Sequence, residues 1–249
     1  MKSPRNDRRC PYRLHLSLVV MFAILTGESN AQPGTLANAI DQVEQGNFSY
    51  VDQVVRLAGP ERAIPTLEDL FSRIQDLQTR DWIASTLVKI GDKNDTYWHF
   101  VTEQARESIE SGAPDFQIYD SEGAASGKPA PEFVAWAKAH NLTEESAEYE
   151  SVFPIGILGA TGDRRAIPLL RRALLVPNHM AESVAASALA MLKDKDSIPL
   201  IVEACKRAPS NAKSAIALSL LAFRDPEAQS AAEPFLPEGF VKKLHEEKP

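Results

Sequence analysis

The stretch Gly162–Leu174, GDRRAIPLLRRAL, carries a proline at position 168, near the start of a strongly amphipathic helical pattern. Proline in the first turn of an α-helix removes no helical hydrogen bond, because the first backbone amides have no acceptor within the helix. Its fixed φ angle also suits a helix start. Pro168 therefore predicts the point at which a helix begins.

The same signature occurs at two other places in the chain. Ala166–Leu170 (AIPLL) is followed 31 positions later by Ser197–Ile201 (SIPLI), and Ala63–Leu67 (AIPTL) is a third copy. The residues that follow also correspond, because AESVAASALAMLKD (181–194) aligns with AKSAIALSLLAFRD (212–225) at the same offset. Each unit is predicted to hold a first helix that Ile-Pro opens, a short turn, and a second helix rich in alanine and leucine.

A repeat of this length is typical of a solenoid, because one helical hairpin cannot bury its apolar faces without neighbours. We therefore predict an all-α fold, an α–α superhelix of about five helical hairpins with one loop insertion. The predicted parts are clear repeats over 61–92, 163–194 and 195–225, degenerate repeats with the insertion over 93–162, and a C-terminal cap over 226–249.

These residues resemble the HEAT-repeat family, specifically the short PBS-lyase HEAT-like repeats of bacteria. The family pattern is roughly Gly-Asp-x-Arg-Ala-Ile-Pro-x-Leu, then spaced alanines and leucine, then Gly-Asp. Gly162–Pro168 and Gly91–Asp92 follow it, and the likeness is good over 61–92 and 163–225. The resemblance implies a stacked helical fold and, at family level, protein interaction. It also suggests an alternative function as an enzyme or enzyme accessory related to PBS-lyase-like proteins.

The N-terminus has the three-part layout of a secretory signal peptide. An apolar run over Leu14–Leu25 follows a basic head, and small residues at Ser29 and Ala31 favour cleavage after Ala31. The run is too short for a bilayer core, which needs ~20 residues. We therefore expect a signal peptide over 1–31, a HEAT-like repeat domain over 32–249, and an exported product that is periplasmic or secreted.

The charge balance argues against nucleic-acid binding. Residues 1–31 hold five basic and two acidic side chains, so their removal turns 27 and 34 into 22 and 32, and the net charge from −7 into −10. Nucleic-acid binding depends on basic side chains that neutralise phosphates. The mature chain also lacks a concentrated lysine tract for anionic membranes, and we expect no membrane insertion.

The sequence contains little that points to catalysis. No HExxH or CxxC metal motif occurs, and we expect no catalytic, cofactor-binding or metal-binding residues and no cofactor. Cys205 lies on a helical apolar stripe, which predicts a buried structural thiol. Four histidines have no partner at metal-ligand spacing and are predicted to lie on the surface: His99, His140, His179 and His245.

Residues 113–131 are rich in Gly, Ser, Pro and Asp, which predicts an irregular loop. Insertions of this length in a compact domain are often functional. Aromatic residues gather in and around the loop, and aromatics are enriched at binding hot spots. We expect Phe116, Tyr119 and Trp136 to be exposed, and Trp98 and Phe133 to pack in the core.

The pairs Arg164–Arg165 and Arg171–Arg172 form the dense basic patch of the mature chain. Two interpretations remain open. The second arginine of each pair could bind Asp194 or Asp196 of a neighbouring turn, in a ladder between repeats. Alternatively, the patch could bind an anion or an acidic peptide.

These observations favour an exported, non-enzymatic protein-interaction scaffold that is a monomer and binds another protein through its curved surface. A structural or assembly component of the cell envelope is the alternative. The predicted protein-binding residues are Phe116, Tyr119, Trp136, Arg164 and Arg171.

Overall fold

The computed structural model describes residues 34–119 and 125–246. The predicted signal peptide and its cleavage site at Ala31 lie outside these residues. The helices are α1 (Leu36–Glu44), α2 (Val51–Ala58), α3 (Pro60–Arg73), α4 (Leu77–Lys89), α5 (Asp95–Glu110), α6 (Pro131–Ala139), α7 (Glu144–Ala160), α8 (Ile167–Ala173), α9 (His179–Met191), α10 (Ile198–Arg207), α11 (Ser210–Leu221), α12 (Pro226–Ala232) and α13 (Glu238–Glu246). The strands are β1 (Gln117–Tyr119) and β2 (Ala125–Pro129).

The helices form five successive hairpins: α1/α2, α3/α4, α5/α7, α8/α9 and α10/α11. The second helices form a continuous inner layer, because α2 contacts α4, α4 contacts α7, α7 contacts α9, and α9 contacts α11. The hairpins therefore lie side by side, as in an α–α superhelix. This arrangement confirms the predicted all-α solenoid of about five hairpins with one insertion.

The inner layer is closed to solvent over most of its length. No residue of α7 is exposed from Ser146 to its end at Ala160, and every residue from Asp81 to Leu87 in α4 is buried. Small side chains permit this closeness: Ser187 of α9 and Ser219 of α11 lie 2.9 Å apart through their hydroxyl oxygens. The inner helices therefore offer little open surface to a partner protein. Exposed surface lies mainly on the first helices and the turns.

Two of the three Ile-Pro signals open helices as predicted. A short 3₁₀ turn precedes each, and Pro168 and Pro199 lie in the first turn of α8 and α10. The third expectation was wrong, because α3 begins at Pro60 and Pro65 lies inside the helix. Pro60 follows Gly59, whose φ of +84° ends the previous helix, so a helix start already exists there.

The segment 93–162 is one repeat, α5 and α7, interrupted by residues 111–143. The expected irregular loop instead contains a two-stranded antiparallel ribbon in which Gln117 pairs with Pro129 and Tyr119 with Ala125. Helix α6 follows the ribbon. A small separate core lies beneath, with Phe133 fully buried at its centre. Helix α7 then runs from Glu144 to Ala160 with Pro154 inside it.

The described part of the predicted C-terminal cap, residues 226–246, covers the last hairpin. Ala228 and Ala232 of α12 are fully buried against α11, and Leu236 is nearly so. Helix α13 is more peripheral, and Phe240 on it is 40% exposed. The burial of the end of the last hairpin therefore depends on α12 and the turn after it.

Helices α7 and α9 of the inner layer pack closely at Gly159. A Cβ added at Gly159 would lie 2.3 Å from the Cβ of Ala188. We expect Gly159→Ala to lower the free energy of unfolding by roughly 1–3 kcal/mol, because overpacking pushes the helices apart. This loss should outweigh the ~1 kcal/mol that alanine gains over glycine in a helix. Urea unfolding followed by circular dichroism measures it.

The matched control for this prediction is the double variant Gly159→Ala/Ala188→Gly. Removal of the Ala188 Cβ makes room for the new methyl group, so the double variant should be more stable than the sum of the single changes predicts. Equal stability of Gly159→Ala and the parent protein would contradict this contact between α7 and α9.

Candidate functional site

The predicted ladder between repeats exists, but Arg171 forms it. Its Nε and Nη2 donate to the two carboxylate oxygens of Asp194, each at 2.9 Å, and Nε also lies 2.9 Å from Ser197 Oγ. The Asp194 side chain is only 4% exposed. Asp196, the other predicted partner, is a peripheral contact at 3.7 Å. Arg171 therefore joins the fourth hairpin to the turn that begins the fifth.

Arg164 also has a structural position. Its Nη1 donates to the carbonyl oxygen of Leu192 at 2.7 Å and so satisfies one free carbonyl at the end of α9. Arg207 does the same for α8, donating to the Leu174 carbonyl at 2.7 Å. Arg164 and Arg171, both predicted to bind a partner protein, thus already bind neighbouring parts of the stack.

The other two arginines of the patch do not reach Asp194 or Asp196, and that part of the ladder prediction was wrong. Arg165 lies over Trp98 of α5, with its guanidinium carbon 4.3 Å from the ring centroid. Arg172 donates to Glu110 at the end of α5, at 3.0 Å. Arg171 and Arg172 are consecutive residues of α8, so their side chains leave the helix in directions about 100° apart, Arg171 toward the next turn and Arg172 toward α5.

Arg165 and Arg172 instead border a groove between α5 and α8, the first helices of two adjacent repeats. The groove is open to solvent and has a volume of about 380 Å³. It is lined by Trp98, His99, Thr102, Arg106, Arg165, Pro168, Leu169 and Arg172. We call it the α5–α8 groove. Its lining combines three apolar residues, Trp98, Pro168 and Leu169, with three arginines.

The ion pairs of these guanidinium groups lie at the surface. Arg165 binds Asp163 through Nη2 at 2.7 Å, and its hydrogen bond lowers the pKa of the Asp163 carboxyl below its usual value. Arg106 pairs with Glu103 one turn earlier on α5. The Arg172–Glu110 pair is about half exposed on both sides. Pairs of this kind contribute at most about 1 kcal/mol, so a ligand could exchange with them.

Two other shallow concavities of similar size occur in the described part of the chain. One lies between the end of α12 and α13, beside Leu236 and Val241, and the other beside the turn at Gly46 and Ile74. Neither is lined by an aromatic side chain or by several cations. The α5–α8 groove is therefore the best candidate for recognition among the three.

The aromatic side chains of the insertion are less accessible than expected. Phe116 packs edge-on against Phe133 at 5.1 Å between ring centroids, and both Phe116 and Trp136 are half-buried in the small core. Trp136 Nε1 also donates to the Ser111 carbonyl at 3.2 Å. Their predicted exposure was wrong, because the ribbon and α6 fold over one another. The side chain of Tyr119 lies outside what the structure describes.

The two aromatics that were expected in the core also differ. Phe133 is fully buried, as predicted. Trp98 is half-buried: it packs against the main core and also lines the groove. Helical spacing alone does not distinguish a tryptophan at the edge of an apolar stripe from one in the core.

His179, predicted to lie at the surface, belongs to a half-buried polar network that holds the insertion to α9. Its backbone amide donates to Asp115 at 2.6 Å, and its Nδ1 lies 2.6 Å from Glu182, a carboxylate that is nearly fully buried and also binds Arg207. Burial opposes its charge, but Glu182 and Asp115 together raise the pKa of His179 above its usual value. Burial also raises the pKa of Asp115.

A second buried polar contact joins α4 to α7 and was not found from the sequence. The hydroxyl group of Tyr149 donates to Asp81 Oδ2, while Oδ1 of this fully buried carboxyl has no hydrogen-bond partner among the described residues. Burial raises the pKa of Asp81 to about 7, although the Tyr149 hydrogen bond and Arg80 act in the opposite direction. Asp81 lies beside Trp82 in the buried inner layer.

Several expectations about chemistry concern the described residues alone. Cys205 is buried, as predicted, and burial together with the charge of Glu182 raises its pKa to about 12, which disfavours the nucleophilic thiolate. Residues 34–119 and 125–246 contain no cluster of His, Cys, Asp and Glu side chains suited to a metal ion. Within the same residues, no helix combines the length and apolar character needed to cross a bilayer.

Comparison with known proteins agrees with this architecture. The family model described as PBS lyase HEAT-like repeat matches residues 155–175 and 183–207, which include all of α8 and α10 and most of α9. No match was found among curated proteins or among solved structures. The matched segments contain two of the Ile-Pro helix starts and the arginine ladder between them. Residues 155–175 and 183–207 are therefore similar to PBS lyase HEAT-like repeats, and they lie within an all-α helical-repeat fold.

Proposed function

We propose that this protein is an exported, non-enzymatic scaffold that acts as a monomer and binds another protein through the α5–α8 groove. The observation that supports the proposal is the composition of the groove, which is lined by a half-buried tryptophan, three arginines, Pro168 and Leu169. Tryptophan and arginine are the residues most enriched at the energetic centres of protein interfaces.

The position of the groove also favours this function. Since the inner helices are closed to solvent, a partner has access mainly to the first helices and the turns. The α5–α8 groove lies between two such helices, and the insertion begins directly after α5 ends at Glu110. A partner that bound there could contact both the regular stack and the inserted segment.

The proposed export depends on the sequence pattern of residues 1–31, with a basic head, an apolar run and small residues before Ala31. The proposed lack of catalysis agrees with the closed inner layer and with the high pKa of the Cys205 thiol.

Site-specific photocrosslinking in the native cells tests the binding function. A photoreactive phenylalanine analogue is placed at His99, which is exposed and lines the groove, or at Leu57, which is 40% exposed on α2 as a matched control. We expect a discrete protein adduct from position 99 and none from position 57. Thr102→Tyr, which fills the groove, should weaken the adduct.

The outcome that contradicts the proposal is an absence of adducts at position 99, or the same adducts at both positions. Concentration-dependent self-association with adducts of the chain to itself would favour the envelope-assembly alternative. Circular dichroism of each variant shows that the fold is kept.

A further inference from the structure

We propose that His179 is a pH-dependent latch, which holds the insertion against α9 while its imidazole is protonated and loosens that contact when the imidazole is neutral. The proposal goes beyond the binding function and does not depend on it. The latch lies where the chain enters the insertion, between residues 113–116 and the first turn of α9. The two residues that it joins, Asp115 and His179, are 64 positions apart in sequence.

Three polar contacts form this junction. The side-chain amide of Asn178 donates to the Pro114 carbonyl oxygen at 3.2 Å, and the backbone amide of His179 donates to Asp115 Oδ1 at 2.6 Å. The third contact is between side chains, with His179 Nε2 at 3.5 Å from Asp115 Oδ2. The first two contacts do not involve the imidazole ring, so only the third changes with the charge of the ring.

The imidazole ring of His179 lies between two carboxylates. Its Nδ1 is 2.6 Å from Glu182 on α9, and its Nε2 faces Asp115 of the insertion. A neutral imidazole has one N–H and one lone pair, so it donates to the nearer carboxylate, Glu182, and its lone pair faces Asp115. The imidazolium has two N–H groups and can donate to both carboxylates. Protonation therefore decides whether the side chains of α9 and the insertion attract one another.

The charged groups that face His179 are Asp115 from the insertion, Glu182 from α9 and Arg207 from α10. Burial opposes the charge of the imidazolium, as does Arg207, but the two carboxylates outweigh both and raise the pKa of His179 above its ordinary value of 6.5. The stability that the proton adds to the closed latch is therefore present below pH 6.5 and is lost as the pH rises through the raised pKa. Burial also raises the pKa of Asp115, so its ionisation above the ordinary value of 3.8 loosens the latch in the same direction.

The insertion can move from α9 without unfolding of the stack, because it has a core of its own. Phe116 packs against Phe133 at 5.1 Å between ring centroids, and Phe133 packs in the small core with Ala147 at the start of α7. This small core is separate from the main core of the hairpins. Opening of the latch is therefore a local displacement, which costs less free energy than global unfolding.

The test measures the distance between the insertion and the stack in the full chain by pulsed electron paramagnetic resonance. Nitroxide labels are attached through a ketone-bearing amino acid at Glu132 on α6 and Lys206 on α10, both exposed. We expect a narrow distance distribution at about pH 5.5 and a broader, longer one at about pH 9. The closed-to-open ratio falls about tenfold for each unit by which the closed latch raises the pKa of His179. A control pair at Met191 and Lys206 lies on the stack alone and should give one distance at both pH values.

Two substitutions should abolish the pH response in opposite ways. His179→Gln cannot donate to both carboxylates, so we expect the broad distribution at both pH values. Asp115→Asn keeps Oδ1 as the acceptor for the His179 amide and offers an N–H donor to the lone pair of the neutral ring, so we expect the narrow distribution at both. His140→Gln removes an exposed histidine of the insertion and should keep the response of the parent protein. Circular dichroism of each variant shows that the helices are kept.

A distance distribution of the parent protein that is the same at both pH values would overturn the proposal. A pH response that persists in His179→Gln would also overturn it, because another titrating group would then control the insertion. If His179→Gln and Asp115→Asn both gave the broad distribution at both pH values, the two side chains would only pack the junction, and a proton-dependent latch would be excluded.

Discussion

Arg171→Ala should lower the free energy of unfolding by about 3 kcal/mol, because it leaves the carboxylate of Asp194 buried without its cation. The pair is well suited to a large effect, since both guanidinium hydrogen bonds to Asp194 are 2.9 Å and Ser197 adds a third polar contact. The Asp194 side chain is 4% exposed and that of Arg171 34% exposed, so water can compensate the loss only in part. Urea unfolding at neutral pH measures the change.

The matched control is Arg172→Ala, one residue further along the chain. Its partner Glu110 is about half exposed, so we expect a change of at most ~1 kcal/mol. The double variant Arg171→Ala/Asp194→Ala removes the stranded charge and should be more stable than Arg171→Ala alone. Similar losses for Arg171→Ala and Arg172→Ala would show that the ladder behaves as an ordinary surface pair.

The Arg171→Ala variant also distinguishes a structural role of the basic patch from a role in partner binding. Arg171 was expected from the sequence to bind a partner, whereas the structure gives it a position inside the stack. A variant at Arg171 that loses partner adducts is therefore informative only if its folded fraction is measured at the same time. Arg106 and Arg172 are better positions for testing recognition, because both are about half exposed.

Asp81→Asn should stabilise the protein above neutral pH and have little effect near pH 4. The pKa of the folded state is about 7, well above the ordinary value of 3.8. The folded state therefore binds a proton more tightly than the unfolded state, and its stability falls as the pH rises from about 4 to about 7. Asparagine stays neutral across this range and still accepts the Tyr149 hydrogen bond.

The expected change in the free energy of unfolding follows from the size of the Asp81 pKa shift. One pKa unit corresponds to about 1.4 kcal/mol, and partial solvent access and relaxation reduce the total, so we expect roughly 2–4 kcal/mol between pH 4 and pH 8. The groups that act on Asp81 are Tyr149 on α7, Arg80 beside it, and Asp76 at the start of α4. Unfolding free energies of both proteins, measured at several pH values across this interval, give the difference directly.

Two controls make the Asp81 prediction specific. Glu61→Gln, at an exposed position on α3, should leave the pH dependence of stability unchanged. Tyr149→Phe removes the only hydrogen bond that the described residues give to the Asp81 carboxyl group and should destabilise the protein more at pH 8 than at pH 4. A constant difference between parent and Asp81→Asn across the pH range would show that the carboxyl does not titrate between α4 and α7.

The sequence predicted the repeat architecture well because the relevant physics is local. Proline at positions 168 and 199 marks helix starts through its own φ angle and missing amide, and the alanine-rich second helices indicate closely packed axes. Pro65 shows the limit of the same argument. A second proline at position 60 offers an equally good start, and the signal does not say which of the two the chain uses.

The candidate site could be predicted only in part. The basic segment from 164 to 172 supplies Arg165 and Arg172 to the groove lining, but the sequence assigned the wrong arginines to the ladder. Which guanidinium group reaches Asp194 depends on the rotation of α8 relative to the next turn, a property of the superhelix as a whole. The α5–α8 groove has the same origin, since α5 and α8 are separated in sequence by the entire insertion and α7.

By itself, the sequence determined the all-α class, the period, the number of hairpins, the place of the insertion and the burial of Cys205. These depend on helix-start signals and on apolar spacing within a few turns of chain. Tertiary structure alone decided that the inner layer is closed, that the insertion forms a ribbon held through His179, and that Asp81 is buried beside Tyr149. These depend on how neighbouring hairpins stagger and twist, which brings together side chains far apart in sequence.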